Sequence, residues 1–408
     1  MKKKHKIELV APAGNIEKLR IAFLYGADAV YIGYPGMSLR AYAEELNFGD
    51  EEIISKEAKK AGKKLYIALN AYLKEADLKK AEAAIKKINV ITPDAIIVSD
   101  PGMIKIARNL LRCGIKIHLS TQANTLNSSS VLFWKESGVD RIILGREVTL
   151  KDIRMIKKVV PDMELEIFCH GAMCVSYSGR CLLSSVMTGK SANEGKCTHP
   201  CRWKYYLVEE KRPGEYFQIE SFARGSYILN SKDLNMIDYI TEIAKAGVDS
   251  IKIEGRMKSL YYIACVVRAY RNAVDCYHAG KKRVPKKIIE ELEKISHRKY
   301  TTGFYVDRDS DSDMQIADTS AYERKYDFLG IVEKSSKNTV TLEVRNKIRK
   351  GDSVEVIGPD IGCDREETIN LMFDQNGGVL KEANPGMKVK VRFNGCARPG
   401  DLVRKKNE

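Results

Sequence analysis

Residues 7–33 read IELVAPAGNIEKLRIAFLYGADAVYIG, and this stretch sets the architecture of the chain. Apolar residues at 7–11 and 29–33 predict two strands, and the apolar spacing between residues 16 and 25 predicts a helix. A helix that connects two short strands in this way makes them parallel strands of one sheet.

The same alternation continues to about residue 260. Six further strands are predicted at residues 65–70, 95–99, 116–120, 141–144, 165–169 and 250–254, with helices such as 51–61 and 76–88 between them. Eight strand–helix units in this order favour an α/β fold, a TIM-like (β/α)8 barrel. The alternative is an open doubly wound sheet, but no G-x-G-x-x-G follows the first strand.

The chain changes character in its last quarter. Helical patterns at residues 262–282 and 286–297 follow the eighth strand. From about residue 326, short strands alternate with Gly-Asp and Asn-Gly turns, at residues 330–333, 339–344, 353–357, 368–373, 388–393 and 402–404. We therefore expect a barrel domain at residues 1–325 and a small C-terminal β-barrel domain at residues 326–408.

A long cysteine-bearing insertion, about residues 172–248, follows the seventh strand. It carries Cys174, Cys181, Cys197 and Cys201 with the spacing C-x6-C-x15-C-x3-C. Four thiolates in one loop suit a tetrahedral metal or a 4Fe–4S cluster. Structural zinc and a chance group of buried thiols are the alternatives. The tight C-x3-C-x2-C of radical-SAM enzymes is not present, so all four irons of a cluster would be bound by protein thiolates.

Disulfides are not expected. The chain has no secretory signal peptide, and the other cysteines are scattered singly, as free thiols usually are in the cytosol. Cys169 falls on the outward face of the seventh strand, so we expect it to be a small core residue.

Further elements are predicted inside the insertion. Extra strands are expected at residues 203–208 and 227–230, and Ser231 is expected to cap a helix that opens with the sequence SKDL. Long insertions at this face of a barrel form or cover the active site. The cysteines are therefore predicted to lie near the barrel mouth.

Strand parity identifies candidate catalytic residues. Polar side chains that share the inward parity near the carboxyl end of a strand should face the barrel mouth. The residues predicted there are Gln122, Arg146, His170, Glu254 and Arg256. Such a mouth suits a small anionic ligand, because guanidinium groups bind carboxylates bidentately.

Other inward polar residues lie lower in the barrel. Glu8, Glu166 and Lys252 are as often structural as catalytic in such positions, and His118 is expected to be a buried interior histidine. These residues are therefore not assigned to the site.

Net charge points to a polyanionic partner. Lysine and arginine outnumber aspartate and glutamate by 69 to 54, which gives a net charge of +15. A generally basic proteome is the alternative explanation. Basic residues of the C-terminal domain could contact RNA or form a solvated surface; they are Arg345, Lys347, Arg349, Lys350, Arg404, Lys405 and Lys406.

Localisation is predicted from absent signals. No apolar run approaches the roughly 18 residues of a membrane span, and the N-terminal MKKKHK is too short for a targeting peptide. We expect a soluble cytoplasmic protein that makes no membrane contact.

The motifs together resemble peptidase family U32. The closest resemblance is EIFCHGAMC at residues 166–174 followed by GRCLLS at 179–184. Further matching motifs are LVAPAG at residues 9–14, STQAN at 120–124, SKDL at 231–234, KIEGRMKS at 252–259 and YTTGFY at 300–305. The resemblance covers nearly the whole chain.

The resemblance has two functional implications. The family is catalogued as peptidases and collagenase-like proteins, yet several members are oxygen-independent hydroxylation proteins that act on tRNA, rRNA or ubiquinone. The length and the C-terminal domain look most like the tRNA members, which make 5-hydroxyuridine at the wobble position with prephenate as hydroxyl donor. That resemblance implies tRNA as partner, and a paralogue or an Fe–S-delivery protein as a second one.

Peptidase activity has little chemical support in the sequence. It contains neither H-E-x-x-H nor G-x-S-x-G, and the cysteines resemble metal ligands more than a Cys–His nucleophile pair. A non-catalytic Fe–S scaffold remains the third hypothesis.

Overall fold

The protein forms two compact units. The computed structural model describes residues 5–39, 51–174, 176–203, 206–207, 210–211, 213–214, 217–218, 232–306, 322–336 and 338–407. The first unit comprises Met1–Arg20, Asp28–Lys258 and Arg298–Ala321, and the second comprises Ile21–Ala27, Ser259–His297 and Tyr322–Glu408.

Eight parallel strands close into a barrel in the first unit. In chain order, the strands of this unit are β1 (Glu8–Pro12), β2 (Ala29–Gly33), β3 (Lys64–Leu69), β4 (Ala95–Val98), β5 (Lys116–Leu119), β6 (Arg141–Ile143), β7 (Glu164–Ala172), β8 (Tyr206–Leu207), β9 (Phe217–Gln218), β10 (Asp233–Asn235), β11 (Ser250–Ile253) and β12 (Tyr300–Thr301). Strands β1 to β7 pair in sequence, and β11 joins β7 to β1. The predicted (β/α)8 barrel is confirmed.

Helices follow the barrel strands as predicted. In chain order, the helices of the chain are α1 (Ile16–Leu24), α2 (Glu51–Lys60), α3 (Leu78–Ile91), α4 (Pro101–Leu110), α5 (Ser128–Glu136), α6 (Leu150–Val159), α7 (Leu183–Thr188), α8 (Ile240–Lys245), α9 (Leu260–His278) and α10 (Lys286–Glu290). Local sequence explains their starts. Asp100 accepts a hydrogen bond from the Met103 amide, and Thr149 forms a reciprocal capping box with Asp152.

The amino ends of the barrel strands are held by a charged network. The Arg141 guanidinium binds Glu8 at 2.5 Å, Glu164 at 2.7 Å and Glu166 at 3.0 Å. Glu8 also accepts a hydrogen bond from Tyr66 at 2.7 Å. Burial alone would raise the pKa of Glu8, but the charge and hydrogen bonds of Arg141 outweigh it and lower the pKa to about 2. Ion pairs at this end of a barrel support stability.

His118 behaves as a buried interior residue. Its ring packs edge-on against Tyr66 with 4.8 Å between centroids, and its side chain is 1% exposed. Burial, with added repulsion from Arg141 and Lys252, lowers the pKa of His118 well below its usual value, so the ring is neutral.

The sheet extends beyond the barrel at the carboxyl end of β7. Strand β10 pairs antiparallel with residues 170–172, and β12 pairs in parallel with β10. The prediction that SKDL opens a helix is therefore wrong at Asp233 and Leu234, which lie in β10. Backbone pairing with Gly171 and Ala172 outweighs the local capping signal there. Ser231 itself and residues 227–230 lie outside the described residues.

The second unit contains an antiparallel sheet that curls around an apolar core. Its strands are β13 (Tyr326–Ser336), β14 (Thr339–Val344), β15 (Ile348–Arg349), β16 (Ser353–Ile357), β17 (Arg365–Thr368), β18 (Met372–Phe373), β19 (Glu382–Ala383), β20 (Lys388–Arg392) and β21 (Leu402–Lys406). Seven of them form one sheet in the order β17-β16-β21-β13-β14-β20-β18. Alternate residues of β14 point inward, as in Val340, Leu342 and Val344. The small C-terminal β-domain is confirmed.

A buried ionic network also stabilises this unit. The carboxylate of Glu291 pairs with Arg268 at 2.8 Å and with Arg404 at 2.6 Å, and both arginine side chains are 0% exposed. Arg268 also binds Asp364, and Arg404 also binds Glu355. Each buried charge therefore has an opposite charge beside it, which offsets the cost of desolvation.

Among the described residues, we find no helix with both the length and the apolar character needed to cross a bilayer.

Candidate active site

Four of the five predicted catalytic residues line one cavity at the barrel mouth. Gln122, Arg146, Glu254 and Arg256 border it together with Lys252. The cavity has a volume of about 50 Å³. Ordinary small-molecule pockets enclose roughly 300–1,000 Å³, so a ligand here must displace some of the long side chains.

Arg256 is held in the mouth by Ser38. One guanidinium nitrogen donates to the Ser38 hydroxyl at 3.1 Å, and the arginine is only 5% exposed. The end of β2 leaves room for it at Gly33, where an added Cβ would lie 2.0 Å from the guanidinium. The sequence analysis identified Arg256 but not Ser38, because Ser38 lies outside both the predicted strands and the family motifs.

Arg146 is fixed on the opposite side of the cavity. Its guanidinium donates to the Ala172 carbonyl at 2.6 Å and lies 4.1 Å from the centroid of the Phe168 ring. A cation stacked on an aromatic face and tied to a carbonyl has a restricted orientation. The guanidinium is therefore oriented before any ligand arrives.

Lys252 adds a third cationic side chain to the cavity wall. Its ammonium pairs with Glu166 at 3.2 Å and lies 4.2 Å from the centroid of the Tyr31 ring. Burial lowers the pKa of Lys252, although the Glu166 carboxylate opposes this. Three cations beside the amide of Gln122 suit a ligand with carboxylate or phosphate groups.

His170 directly follows a β-bulge in β7. The pairing of β11 with β7 runs from Lys252 opposite Phe168 to Ile253 opposite His170, so β7 advances by two residues where β11 advances by one. The simple alternation predicted for β7 ends there. His170 does not line the cavity; it is 1% exposed, and its ring centroid lies 5.5 Å from that of Tyr300. A catalytic role for His170 stays a prediction.

Two contacts bring the cysteine loop to the mouth. The Ser178 amide donates to Glu147, directly after Arg146, at 2.8 Å. Gly179 has φ +74°, and an added Cβ would lie 2.2 Å from the Gln122 carbonyl oxygen. The loop backbone therefore packs directly on a residue of the cavity, where only glycine fits.

The loop is ordered around the cysteines by its own side chains. Asn193 donates to the Cys181 carbonyl at 3.1 Å, and the hydroxyls of Ser184 and Thr198 lie 3.0 Å apart. Thr188 donates to the Ser184 carbonyl at 2.8 Å. The described part of the chain includes all ten cysteines, and none of them forms a disulfide.

The thiols of Cys181 and Cys197 lie close enough to Cys174 to affect its pKa. Although Cys174 as a residue is exposed, crowding by protein atoms raises the pKa of its thiol. Cys181 and Cys197 raise the pKa further, whereas the charge of Arg146 lowers it. A bound metal would favour the thiolate instead, because thiolates are the ligating form.

The spacing of the thiols bears on which metal they can hold. Among the described residues, the one group of three or more metal-binding side chains with ligand atoms within 4.8 Å of one another is Glu293, His297 and Glu323. No three of the four loop sulfurs are that close. A metal bound by all four thiolates would hold the sulfurs roughly 3.8 Å apart around a single tetrahedral zinc with bonds of about 2.3 Å, and farther apart around a cluster in which each thiolate binds a different iron.

The basic residues of the C-terminal sheet are mostly paired. Arg404 is 0% exposed, so its predicted place on a basic surface is wrong; it neutralises buried carboxylates instead. The other pairs are Arg345 with Glu343, Lys347 with Glu382 and Lys405 with Asp352. These pairs weaken the case for this sheet as the principal RNA surface.

Comparisons with known proteins give the family. The sequence profile of peptidase family U32 matches residues 14–315, and that of the family's C-terminal domain matches residues 324–404. The chain is 39% identical to tRNA hydroxylation protein P1 of Bacillus subtilis, over 98% of this chain and 95% of that protein. It is 38% identical to tRNA hydroxylation protein P of Escherichia coli, over 93% and 91%.

A relative with a different name is also similar. The chain is 28% identical to a collagenase of Porphyromonas gingivalis, over 97% of both chains. The profile matches and the full-length similarity agree with the barrel, the cysteine loop and the C-terminal sheet. The chain belongs to peptidase family U32.

Proposed function

We propose that this protein is a tRNA-modifying enzyme that hydroxylates a wobble uridine at C5 without molecular oxygen. The observation that carries the proposal is similarity along nearly the full length to two proteins named for tRNA hydroxylation, at 39% and 38% identity. The mouth of the barrel and the thiol loop supply the kinds of groups that such a reaction needs.

The donor in this proposal is prephenate, a dicarboxylate. Arg146, Arg256 and Lys252 line one cavity, and the two arginines are oriented by Ala172 and Ser38. Guanidinium groups match carboxylates in a planar, bidentate manner. Glu254 is the carboxylate of the same cavity and the candidate for moving a proton at the reacting centre.

The electrons that the base loses on hydroxylation must be gained by the donor. Replacing the C5–H bond of the pyrimidine by a C5–O bond oxidises the base by two electrons. A donor that gives up its hydroxyl oxygen must therefore leave reduced by two electrons. The target uridine must also leave its stack to reach the mouth, as in other enzymes that act on bases.

The proposed cofactor is a 4Fe–4S cluster held by Cys174, Cys181, Cys197 and Cys201. The residue types support it, because four cysteines share one loop that packs on the barrel mouth. When bound, such a cluster supplies one-electron chemistry. A dedicated delivery protein or a paralogue is the proposed source of the cluster.

Peptide hydrolysis is the second candidate, and the collagenase relative favours it. Hydroxylation of rRNA is a variant of the first proposal with a different RNA. Mass spectrometry of both RNAs and a collagen-peptide assay on the same preparation separate the three.

The first experiment is an anaerobic purification followed by an absorption spectrum and by iron and sulfide analysis. We expect a broad band at roughly 400 nm, typical of thiolate-ligated clusters, and about four irons per chain. Zinc without colour would remove the redox proposal.

The second experiment uses Cys181→Ser, with Cys113→Ser as the matched control on an exposed cysteine outside the loop. We expect Cys181→Ser to lose colour and 5-hydroxyuridine in the tRNA of a complemented deletion strain, and the control to keep both. Hydroxylation that persists without colour would contradict a redox role for the cluster.

A further inference from the structure

A second pocket lies beside the barrel mouth. It is formed by the loop after β2, by the segment after β3 and by one face of α3. Tyr34, Met37, Tyr72 and Leu73 give it aromatic and apolar walls. No residue of this pocket belongs to the catalytic cavity described above.

The pocket is large enough for a flat aromatic ligand because the middle of its α3 wall carries two alanines. Its volume is about 390 Å³, within the range of roughly 300–1,000 Å³ for small-molecule sites. Ala83 and Ala84 line it at the middle of that wall. A longer side chain at either position would fill the space between the helix and the tyrosines.

The walls are held in place by backbone hydrogen bonds. The Tyr34 amide donates to the Ala68 carbonyl at 2.9 Å, and the Ala71 amide donates to the Met37 carbonyl at 3.1 Å. These bonds fasten the two loops to each other and to β3. The pocket is therefore preformed, which lowers the entropic cost of binding.

Two lysines flank the alanines. Lys80 and Lys87 are seven residues apart on α3, so they share a helix face about 10 Å apart along the axis, and both line the pocket. Asp77 also lines it, but its carboxylate already accepts the Lys74 amide at 3.1 Å and lies 4.0 Å from Lys80. An aromatic slot between two ammonium groups matches a nucleobase with its phosphates.

The pocket is linked to the catalytic cavity through Tyr72. Its hydroxyl donates to the Gln122 carbonyl at 2.7 Å, and Gln122 lines the cavity and packs against Gly179 of the cysteine loop. A nucleotide in the pocket would therefore lie next to a base in the mouth.

We propose that this pocket binds the nucleotide adjacent to the target uridine in single-stranded RNA. Tyr34 and Tyr72 provide the contact surface for its base, and Lys80 and Lys87 contact its phosphates. The inference rests on the proposed function, and it adds a subsite that would position the RNA strand while the mouth holds the reacting base.

The test compares two double substitutions on one helix. Lys80→Glu/Lys87→Glu changes the pocket face, whereas Lys79→Glu/Lys86→Glu makes the same charge change at exposed positions that do not line the pocket. Anaerobically purified full-length protein is titrated into a fluorescent anticodon stem–loop RNA at several salt concentrations. We expect the pocket variant to weaken binding at least about tenfold more than the control, and its salt slope to fall by about two.

A third variant tests the slot without changing charge. Ala83→Trp places a large side chain at an exposed position of the pocket wall, so it does not overpack the core. We expect weaker RNA binding with an unchanged salt slope, and unchanged thermal unfolding.

The outcomes separate this inference from the proposed function. If the wild-type protein does not bind the stem–loop, the proposed function fails. If it binds and both double variants lose affinity equally, only the subsite is overturned. If the pocket variants lose affinity for free uridine monophosphate but not for the stem–loop, the pocket serves a free nucleotide and the RNA subsite is also overturned.

Discussion

Arg256 reaches the barrel mouth because its neighbours leave room for it. Ser38 accepts one of its hydrogen bonds, and Gly33 leaves the space that its guanidinium occupies. Gly33 is not in the left-handed region, so its lack of a side chain matters here for space and not for backbone conformation.

Two substitutions test the role of this arginine in donor binding. Arg256→Ala removes the guanidinium, and Gly33→Ala displaces it without changing any charge, since the new Cβ would lie 2.0 Å from it. We expect both to lower kcat/KM for the donor at least about tenfold, the loss of one bidentate charged contact, and to leave the iron content unchanged. Turnover that is unaffected at limiting donor would reject the assignment.

At the residue scale, strand parity predicted three residues that line one cavity and one that does not. Gln122, Glu254 and Arg256 were predicted from alternation alone, and they line one cavity. His170 was predicted by the same rule, but the bulge in β7 interrupts the alternation before it. Ser38 and Tyr72 lie beyond the predicted strands at 29–33 and 65–70, and the sequence analysis did not assign them to the site.

At the element scale, the position of the cysteine loop depends on one close contact between its backbone at Gly179 and the backbone of Gln122. Gly179 and Gly189 have nearly the same backbone conformation, with φ +74° and +68°. They differ in their surroundings. An added Cβ at Gly179 would lie 2.2 Å from the Gln122 carbonyl oxygen. An added Cβ at Gly189 would lie more than 4 Å from every described heavy atom outside its own chain neighbours.

The two glycines therefore form a matched pair for mutagenesis. Gly179→Ala should displace the loop from the mouth and lower both cluster content and tRNA hydroxylation. Gly189→Ala should show only the backbone cost of about 1–2 kcal/mol, with cluster and activity retained. Iron content and 5-hydroxyuridine are measured side by side; equal effects of the two variants would show that the contact with Gln122 is unimportant.

Among the elements, the barrel strands could be predicted from sequence and the insertion could not. Buried parallel strands are short apolar runs, and the predicted 29–33 strand matches β2 residue for residue. The SKDL segment carries a helix-capping signal, yet Asp233 and Leu234 pair with β7, some sixty residues earlier in the chain. Such long-range pairing leaves no local signal.

At the scale of the whole molecule, each compact unit has its own buried ionic network. In the second unit, burial alone would raise the pKa of Glu291, but Arg268 and Arg404 outweigh it and lower the pKa to about 2. The folded-state value lies below the usual 4.5, so ionised Glu291 stabilises this unit above about pH 4.5. That stabilisation is lost as the pH falls through about 2.

Glu291→Gln should therefore destabilise the second unit at neutral pH. We expect a loss of about 3–5 kcal/mol in its free energy of unfolding, because two buried arginines lose a partner. Hydrogen exchange of peptides from residues 260–294 and 326–406 reports the loss. The matched control is Glu290→Gln, since Glu290 makes a solvent-exposed pair with Lys286 at 3.3 Å and should change little.

Measuring the same stability difference at several pH values tests whether the pKa of Glu291 is lowered. The difference between wild type and Glu291→Gln should shrink as the pH is lowered from 7 toward 2, because the wild-type carboxylate then becomes protonated. A difference that stays constant over this range would contradict the lowered pKa.

The net charge of +15 predicts a polyanionic partner but does not locate the surface that would bind it. Composition cannot distinguish Arg404, which is fully buried, from Lys80 and Lys87, which are exposed on one helix face. Only the packing of the chain separates buried cations from exposed ones.

The pairing of β10 with β7 and β12 also has a consequence for the order of events during synthesis. Ala172 is made first, and the strand that completes this part of the sheet ends at Thr301, which is 129 residues later. At about 5–20 residues per second, the ribosome needs roughly 6–26 s to make that length. Cys201, the last cysteine of the loop, is made 100 residues before Thr301, so all four cysteines exist for roughly 5–20 s before β12 is complete. Under the proposed function, a cluster delivered during synthesis would therefore reach these cysteines before this part of the sheet is complete.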